Sequence, residues 1–239
     1  MARAARGLFI TGTDTGVGKT LVGAALVDGL ARSGMRVGVM KPVAAGADET
    51  SEGLRNSDAL ELLRASNVRI PYRTANPYCL KMPASPHIAA AMESIHIDPA
   101  FISQSFGEVA RLADAVVVEG AGGWLAPINE TQTMADVAIG LGLPVVLVVG
   151  LRLGCLNHAL LTVQAVAASG LPLAGWIANH TQPLFEQVEA NITSLERRLG
   201  APLLDVVTYR PPPAAEGAPA AAVALSDHAI ARIGEVLRA

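Results

Sequence analysis

Gly12-Thr13-Asp14-Thr15-Gly16-Val17-Gly18-Lys19-Thr20 follows a short apolar run, Leu8-Phe9-Ile10, and leads into Leu21-Val22-Gly23-Ala24-Ala25-Leu26. The run before it predicts a buried strand, and the apolar spacing after it suits a helix. A turn of small residues between strand and helix lets backbone N–H groups curl around an oxyanion, and the helix N-terminus adds partial positive charge. Lys19 would then reach the β- and γ-phosphates of a nucleotide, and the Thr20 hydroxyl would hold a Mg²⁺ ion bridging them. A glycine-rich turn that merely caps a helix is the plain alternative. Strand, turn, Lys-Thr and helix in agreement weigh against it.

This is the order of a P-loop. In the common motif a Gly stands five places before the Gly of Gly-Lys-Thr; here that position is Thr13. The run resembles the variant loop of partitioning and nitrogenase-iron-protein ATPases, Lys-Gly-Gly-x-Gly-Lys-Thr, whose leading Lys reaches the nucleotide of a partner subunit. Asp14 stands in its place. A carboxylate cannot neutralise a partner's phosphate, so that switch is not expected, although Asp14, Gly16, Val17, Gly18, Lys19 and Thr20 remain the expected nucleotide-binding residues.

A chain of 239 residues is large enough for one well-buried core. Hydrophobic residues make up 51% and aromatics only 4%, so the core is expected to be aliphatic, as in a parallel sheet buried on both faces. Net charge is −3 without a basic block, which argues against nucleic acid or an anionic membrane as the main partner. Met1–Gly7 is basic but has no long apolar segment behind it, and the most apolar stretch, Leu141–Leu151, contains Pro144 and falls short of a membrane span. Two cysteines, Cys79 and Cys155, are too few for a disulfide scaffold. A cytoplasmic protein is expected.

Apolar runs alternate with helical patterns along the chain. Strands are expected at Arg36–Met40, Ala115–Gly120, Pro144–Val149, Leu173–Ala178 and Leu203-Leu204. Helices are expected at Asp58–Ala65, His87–Glu93, Pro99–Leu112, Thr133–Leu141, Asn157–Ser169, Leu184–Leu199 and Ser226–Leu237, the last capped by Ser226. Gly46–Asn56, Asn76–Pro86 and Arg210–Ala222 read as loops. The expected fold is a single α/β domain of P-loop NTPase type, a mostly parallel sheet flanked by helices on both faces. Ligands gather at the C-terminal strand edges of such sheets. The P-loop, Lys41, Glu119, the Gly150–Asn157 segment and Asn179 all fall there.

Taken singly, Lys41 is a solvated charge and Asp58 a helix cap. Glu119 is harder to dismiss, because a charge ending an apolar run is costly unless paired or metal-bound. Thr20, Asp58 and Glu119 together would offer Mg²⁺ three oxygen ligands.

These runs resemble the dethiobiotin synthetase family over nearly all of the chain up to about Leu204. The resemblance rests on Gly12–Thr20, Lys41-Pro42-Val43-Ala44, Gly53–Leu60, Ser85-Pro86-His87, Glu119-Gly120-Ala121-Gly122-Gly123-Trp124, Gly154-Cys155-Leu156-Asn157-His158 and Gly175–Asn179. It implies that the chain takes ATP, CO₂ or bicarbonate and 7,8-diaminononanoate, forms a carbamate, phosphorylates it and closes a cyclic urea. Carried over, Lys19, Lys41 and Thr15 would be catalytic. Thr20, Asp58 and Glu119 would hold Mg²⁺, with Glu119 and Asn179 also touching the nucleotide, Asn179 at the adenine edge. Gly120 and Ala121 would line the diamine site. The family is a homodimer, so Gly154, Cys155, Leu156 and Asn157 would come from the neighbouring subunit to receive the substrate carboxylate. Cys155 reads as a small packing residue, His87 as a loop residue near the site, and His158 as helix packing or capping. Lys41→Ala is expected to abolish turnover and leave the fold intact. Two departures stand out: Ala45 where the family often has Ser, and Asp205-Val206-Val207-Thr208 in place of Gly-x-Ile-Pro.

Two other readings share the fold class. A partitioning-type regulatory ATPase would work by nucleotide-dependent dimerisation, and Asp14 counts against it. An amidotransferase-type synthase would need a glutaminase module that a chain of this length does not hold.

Overall fold

A computed structural model describes residues 7–211 and 223–238. β1 (Gly7–Gly12) leads into the glycine turn and α1 (Lys19–Arg32) leads out of it. The chain continues through β2 (Val37–Met40), β3 (Val43–Ala45), β4 (Asp48–Thr50), β5 (Gly53–Arg55), α2 (Ser57–Ala65), α3 (Tyr72–Ala75), β6 (Tyr78–Leu80), α4 (Pro86–Met92) and α5 (Pro99–Ala110). Then follow β7 (Ala115–Glu119), α6 (Met134–Leu141), β8 (Val145–Leu151), α7 (Cys155–Ala168), β9 (Leu173–His180), α8 (Val188–Glu196), β10 (Leu203–Val207) and α9 (Asp227–Arg238).

The central sheet has six strands in the order β10-β9-β8-β1-β7-β2, each pair parallel. Every residue of β1, β2, β7 and β8 is buried. Successive strand side chains face opposite ways, so helices must cover both faces. Parallel pairing also puts every C-terminal strand end on one edge, where a charge finds exits that the apolar sheet lacks. The core is built from Leu, Ile and Val around Phe9, and a second cluster packs Cys155, Trp176 and Leu195 between β8, β9 and the helices beside them.

Three short features depart from the sequence reading. Part of the expected Gly46–Asn56 loop forms the antiparallel hairpin β4–β5. Within the expected Asn76–Pro86 loop, β6 pairs in parallel with β3, and α3 precedes it as a single turn. Strands of three residues are too short to show a period, and β3 with β6 is a long-range pairing. At the C-terminal end the expected strand grows to five residues as β10, because it pairs along β9. The Ser226 hydroxyl accepts the Ala229 N–H at 3.3 Å, the expected cap of α9. Residues 212–222 of the expected Arg210–Ala222 loop lie outside the described residues.

Candidate active site

The turn after β1 is held from below. Gly18 takes φ +89°, and a Cβ there would stand 2.2 Å from the Asn179 amide nitrogen. That nitrogen, at the end of β9, donates to the Val17 carbonyl at 2.8 Å and is buried. Only glycine meets both demands, the left-handed backbone and the close approach. Lys19 folds back along the turn and donates to the Asp14 carbonyl at 2.9 Å. Burial, then repulsion from Lys41, push its ammonium down to about 8.

Lys41 is the first residue beyond β2. Its ammonium bonds Glu119 Oε1, at the end of β7, and Asp58 Oδ2 at 2.9 Å. Thr20 Oγ1 donates to the same Glu119 oxygen at 2.9 Å. The sequence suggests an open-edge lysine, but Lys41 is 4% exposed and Glu119 0%. Burial pulls the Lys41 ammonium down, yet Glu119 and Asp58 outweigh it and hold it above the ordinary lysine range. Burial likewise pushes Asp58 up, and the charge of Lys41 more than reverses it, so its carboxyl sits below the usual range. Asp58 is also released from capping duty. Asn56 Oδ1 caps α2, accepting the N–H groups of Asp58 at 3.1 Å and Ala59 at 3.3 Å.

These groups line one cavity of about 850 Å³ that holds Thr15, Lys19, Thr20, Lys41, Asp58 and Glu119, with Ala45 and the Ser85-Pro86 and Gly122-Gly123 segments on its walls. Ala121 borders it, and the Gly120 N–H is tied to the Ile10 carbonyl at 3.0 Å. Among the described residues there is no cluster of three or more His, Cys, Asp or Glu suited to a metal. The oxygen set of Thr20, Asp58 and Glu119 does fit a hard cation that takes its other ligands from nucleotide and water. Glu119 Oε2, buried without a hydrogen-bond partner among the described residues, leaves acceptor capacity in that set.

Beyond the turn, Asp14 pairs with Arg152, which leaves β8 just before α7. The Thr15 N–H donates to Asp14 at 2.7 Å and, with Arg152, holds its carboxyl below the usual range. Arg152 escaped the sequence reading because no local pattern marks a cation facing a turn 138 residues away. Gly154 enters α7 at φ +94°, Asn157 and His158 are exposed, and none of Gly154–Asn157 lines the cavity of its own chain. Cys155 is buried with its thiol toward Asn191, a packing residue as expected. His158 is exposed near Asp14 and does not pack into the core. His87 lies in the first turn of α4 rather than in a loop, its ring 3.3 Å from the Ser85 hydroxyl.

A phosphate cradle at the edge of a parallel sheet, with Thr20 and Glu119 meeting beneath it, is the architecture of the P-loop ATPases. The chain belongs to the AAA domain family AAA_26, whose model matches residues 6–216. Solved structures share the fold. A ParA family ATPase from Chlorobium tepidum TLS is 15% identical, with 87% of this chain and 86% of that one covered at a TM-score of 0.53. The MinC:MinD cell division protein complex of Aquifex aeolicus gives 19%, 87% and 83% at 0.55. The septum site-determining protein MinD from Pyrococcus horikoshii OT3, complexed with Mg-ADP, gives 18%, 85% and 81% at 0.51. At such identities the likeness is one of fold alone. No helix among the described residues is long and apolar enough to cross a membrane.

Proposed function

We propose that this protein is an ATP-dependent cyclo-ligase of the dethiobiotin synthetase kind, which joins CO₂ to 7,8-diaminononanoate and closes a cyclic urea. The observation that carries the reading is the meeting of two lysines at one cavity, Lys19 from the turn and Lys41 from the end of β2, with Thr20, Asp58 and Glu119 beside them. Dethiobiotin synthetases are members of AAA_26, and the Lys41–Ala44, Glu119–Trp124 and Gly154–His158 runs support this choice within it.

One amine would add to CO₂, lose a proton and become a carbamate. A carbamate oxygen would attack the γ-phosphorus of ATP, and ADP would leave. The second amine would then attack the carbon of that mixed anhydride, phosphate would depart, and the ring would close. A carbamate is a poor acyl donor until phosphorylated, and the anhydride hydrolyses in water, so alignment and exclusion of solvent are the protein's share. Lys19 and Lys41 would neutralise the transferred phosphoryl and the carbamate oxygens, and Thr15 would donate to the carbamate. The N–H groups of the Asp14–Thr20 turn would cradle the phosphates, Asn179 would meet the adenine edge, and Gly120 and Ala121 would border the diamine. Thr20, Asp58 and Glu119 would hold Mg²⁺, which supplies charge neutralisation along the triphosphate when bound.

The carboxylate end of the diamine would be received by a second copy of the chain, at its Gly154, Cys155, Leu156 and Asn157. The helix N-terminus there offers N–H groups to a carboxylate. Purified protein tests the whole reading. Phosphate release should require both the diamine and bicarbonate, with a product heavier than the diamine by one CO₂ less one water. Release that ignores the diamine and answers to a protein or lipid partner would replace it with the regulatory reading.

A further inference from the structure

Lys41 sits at a place where its main chain has lost the sheet. β2 is the edge strand, and its pairing with β7 ends at Met40. Both backbone groups of Lys41 are satisfied by one neighbouring turn. Its N–H donates to the Ala75 carbonyl at 2.8 Å, and its carbonyl accepts from Asn76 Nδ2 at 2.6 Å. Asn76 is 2% exposed, and its Oδ1 accepts from the Tyr72 hydroxyl at 3.0 Å. That hydroxyl in turn accepts the Asn56 N–H at 2.7 Å, with the Cys79 thiol also 3.3 Å away. Asn56 caps α2, and α2 carries Asp58 back to the Lys41 ammonium. The bonds therefore close a ring: Lys41 backbone, Asn76, Tyr72, Asn56, Asp58, Lys41 side chain.

We propose that Tyr72 and Asn76 are positioning residues, a clasp that fixes the separation between the strand end bearing Lys41 and the helix start bearing Asp58. This rests on the reading that Lys41 and Asp58 serve the reacting phosphates. Without the clasp nothing in the sheet fixes α2 against Lys41, because the two segments share no ladder. A long flexible lysine could follow a drifting Asp58, but it would then leave Glu119. Burial, then the Cys79 contact, push the Tyr72 phenol well above its ordinary value, so the hydroxyl keeps the proton it donates to Asn76. The Arg55 guanidinium, 4.3 Å from the Tyr72 ring centroid, holds the ring in place. The ring contact survives removal of the hydroxyl, which makes Tyr72→Phe a clean probe.

In Tyr72→Phe, metal-free ADP should bind within about twofold of wild type, because the glycine turn is untouched. The Mg²⁺ concentration that half-saturates the tightening of nucleotide binding should rise roughly 10- to 100-fold, the usual cost of losing a residue that orients a metal ligand. Diamine-dependent kcat should fall by a similar factor, with KM for ATP within about threefold. Asn76→Ser should do the same, and the double variant should be no worse than the single ones, since both cut one relay. An unchanged Mg²⁺ requirement in Tyr72→Phe would overturn the proposal. So would losses that simply add in the double variant, or that track a fall in Tm and metal-free ADP affinity. The Mg²⁺ titration needs no diamine, so the clasp is judged even if wild type shows no ligase turnover and that assignment falls.

Discussion

At the residue scale the site is a balance of charges taken out of water. Glu119 is fully buried and tolerable only because Lys41 and Thr20 share its Oε1. Removing the ammonium leaves that carboxylate uncompensated, so Lys41→Met should lose roughly 3–5 kcal/mol of stability. A fold left intact by replacement of an exposed lysine, as the sequence suggests, is therefore not the expectation for this buried one. Lys41→Met with Glu119→Gln should recover most of that loss in a denaturant titration while turnover stays abolished. A double variant no more stable than the single one would refute the account. Lys19 yields the pH prediction. Burial and the neighbouring Lys41 hold its ammonium down at about 8, and phosphate beside it would favour the charged form. As pH rises through that value the free protein loses the proton that binding must restore, so affinity should weaken, approaching about tenfold per unit. Fluorescence titrations with ADP between pH 7 and 9.5 check this, and a flat profile would remove Lys19 from the phosphate site.

At the element scale, each functional side chain is delivered by the end of a strand or the start of a helix, and the precision lies in those ends. Asn56 is the instructive case. Its side chain caps α2 and also donates to the Ala45 carbonyl at 3.3 Å, so a single residue fixes both the helix and the cavity wall. Asn56→Ala should cost about 1–2 kcal/mol for the lost cap and, because Asp58 stands in the first turn, should weaken Mg²⁺-dependent nucleotide binding beyond what that destabilisation explains. Thermal melts together with Mg²⁺ titrations separate the two effects; a variant that is merely less stable would confine Asn56 to capping. The Asp14–Arg152 pair is the counterpart on the other side of the turn. It ties the phosphate loop to the segment that opens α7, in the position where the partitioning ATPases carry a lysine.

At the scale of the whole molecule, α7 is the exposed element that needs explaining. Of its fourteen residues only Cys155, Ala159 and Val166 are buried, while Leu161 is 56% exposed and Leu153, just ahead of the helix, 94%. Asn157 and Leu161 share one face at helical spacing. If that face meets a second copy, sedimentation should give a species of twice 24.6 kDa. Leu161→Glu should then shift it toward monomer and abolish diamine-dependent turnover, with ADP binding retained. Monomeric wild-type protein with full turnover would rule out a shared site.

The sequence alone determined the cradle and the sheet. Glycine-rich chemistry in Gly12–Thr20 and long apolar runs such as Val116–Val118 are local signals, written in consecutive residues with a fixed period or spacing. It also named Lys19, Thr20, Lys41, Asp58 and Glu119, because each ends or begins a readable element. Only the tertiary structure decided that Lys41 is buried rather than open, that Arg152 faces Asp14, and that Tyr72 and Asn76 join β2 to α2. Those facts depend on which segments meet across 16 to 138 residues of intervening chain, and hydrogen bonds between such segments leave no period behind. Burial, which sets the charge balance of the site, is a property of everything packed around a residue and cannot be read from the residue itself.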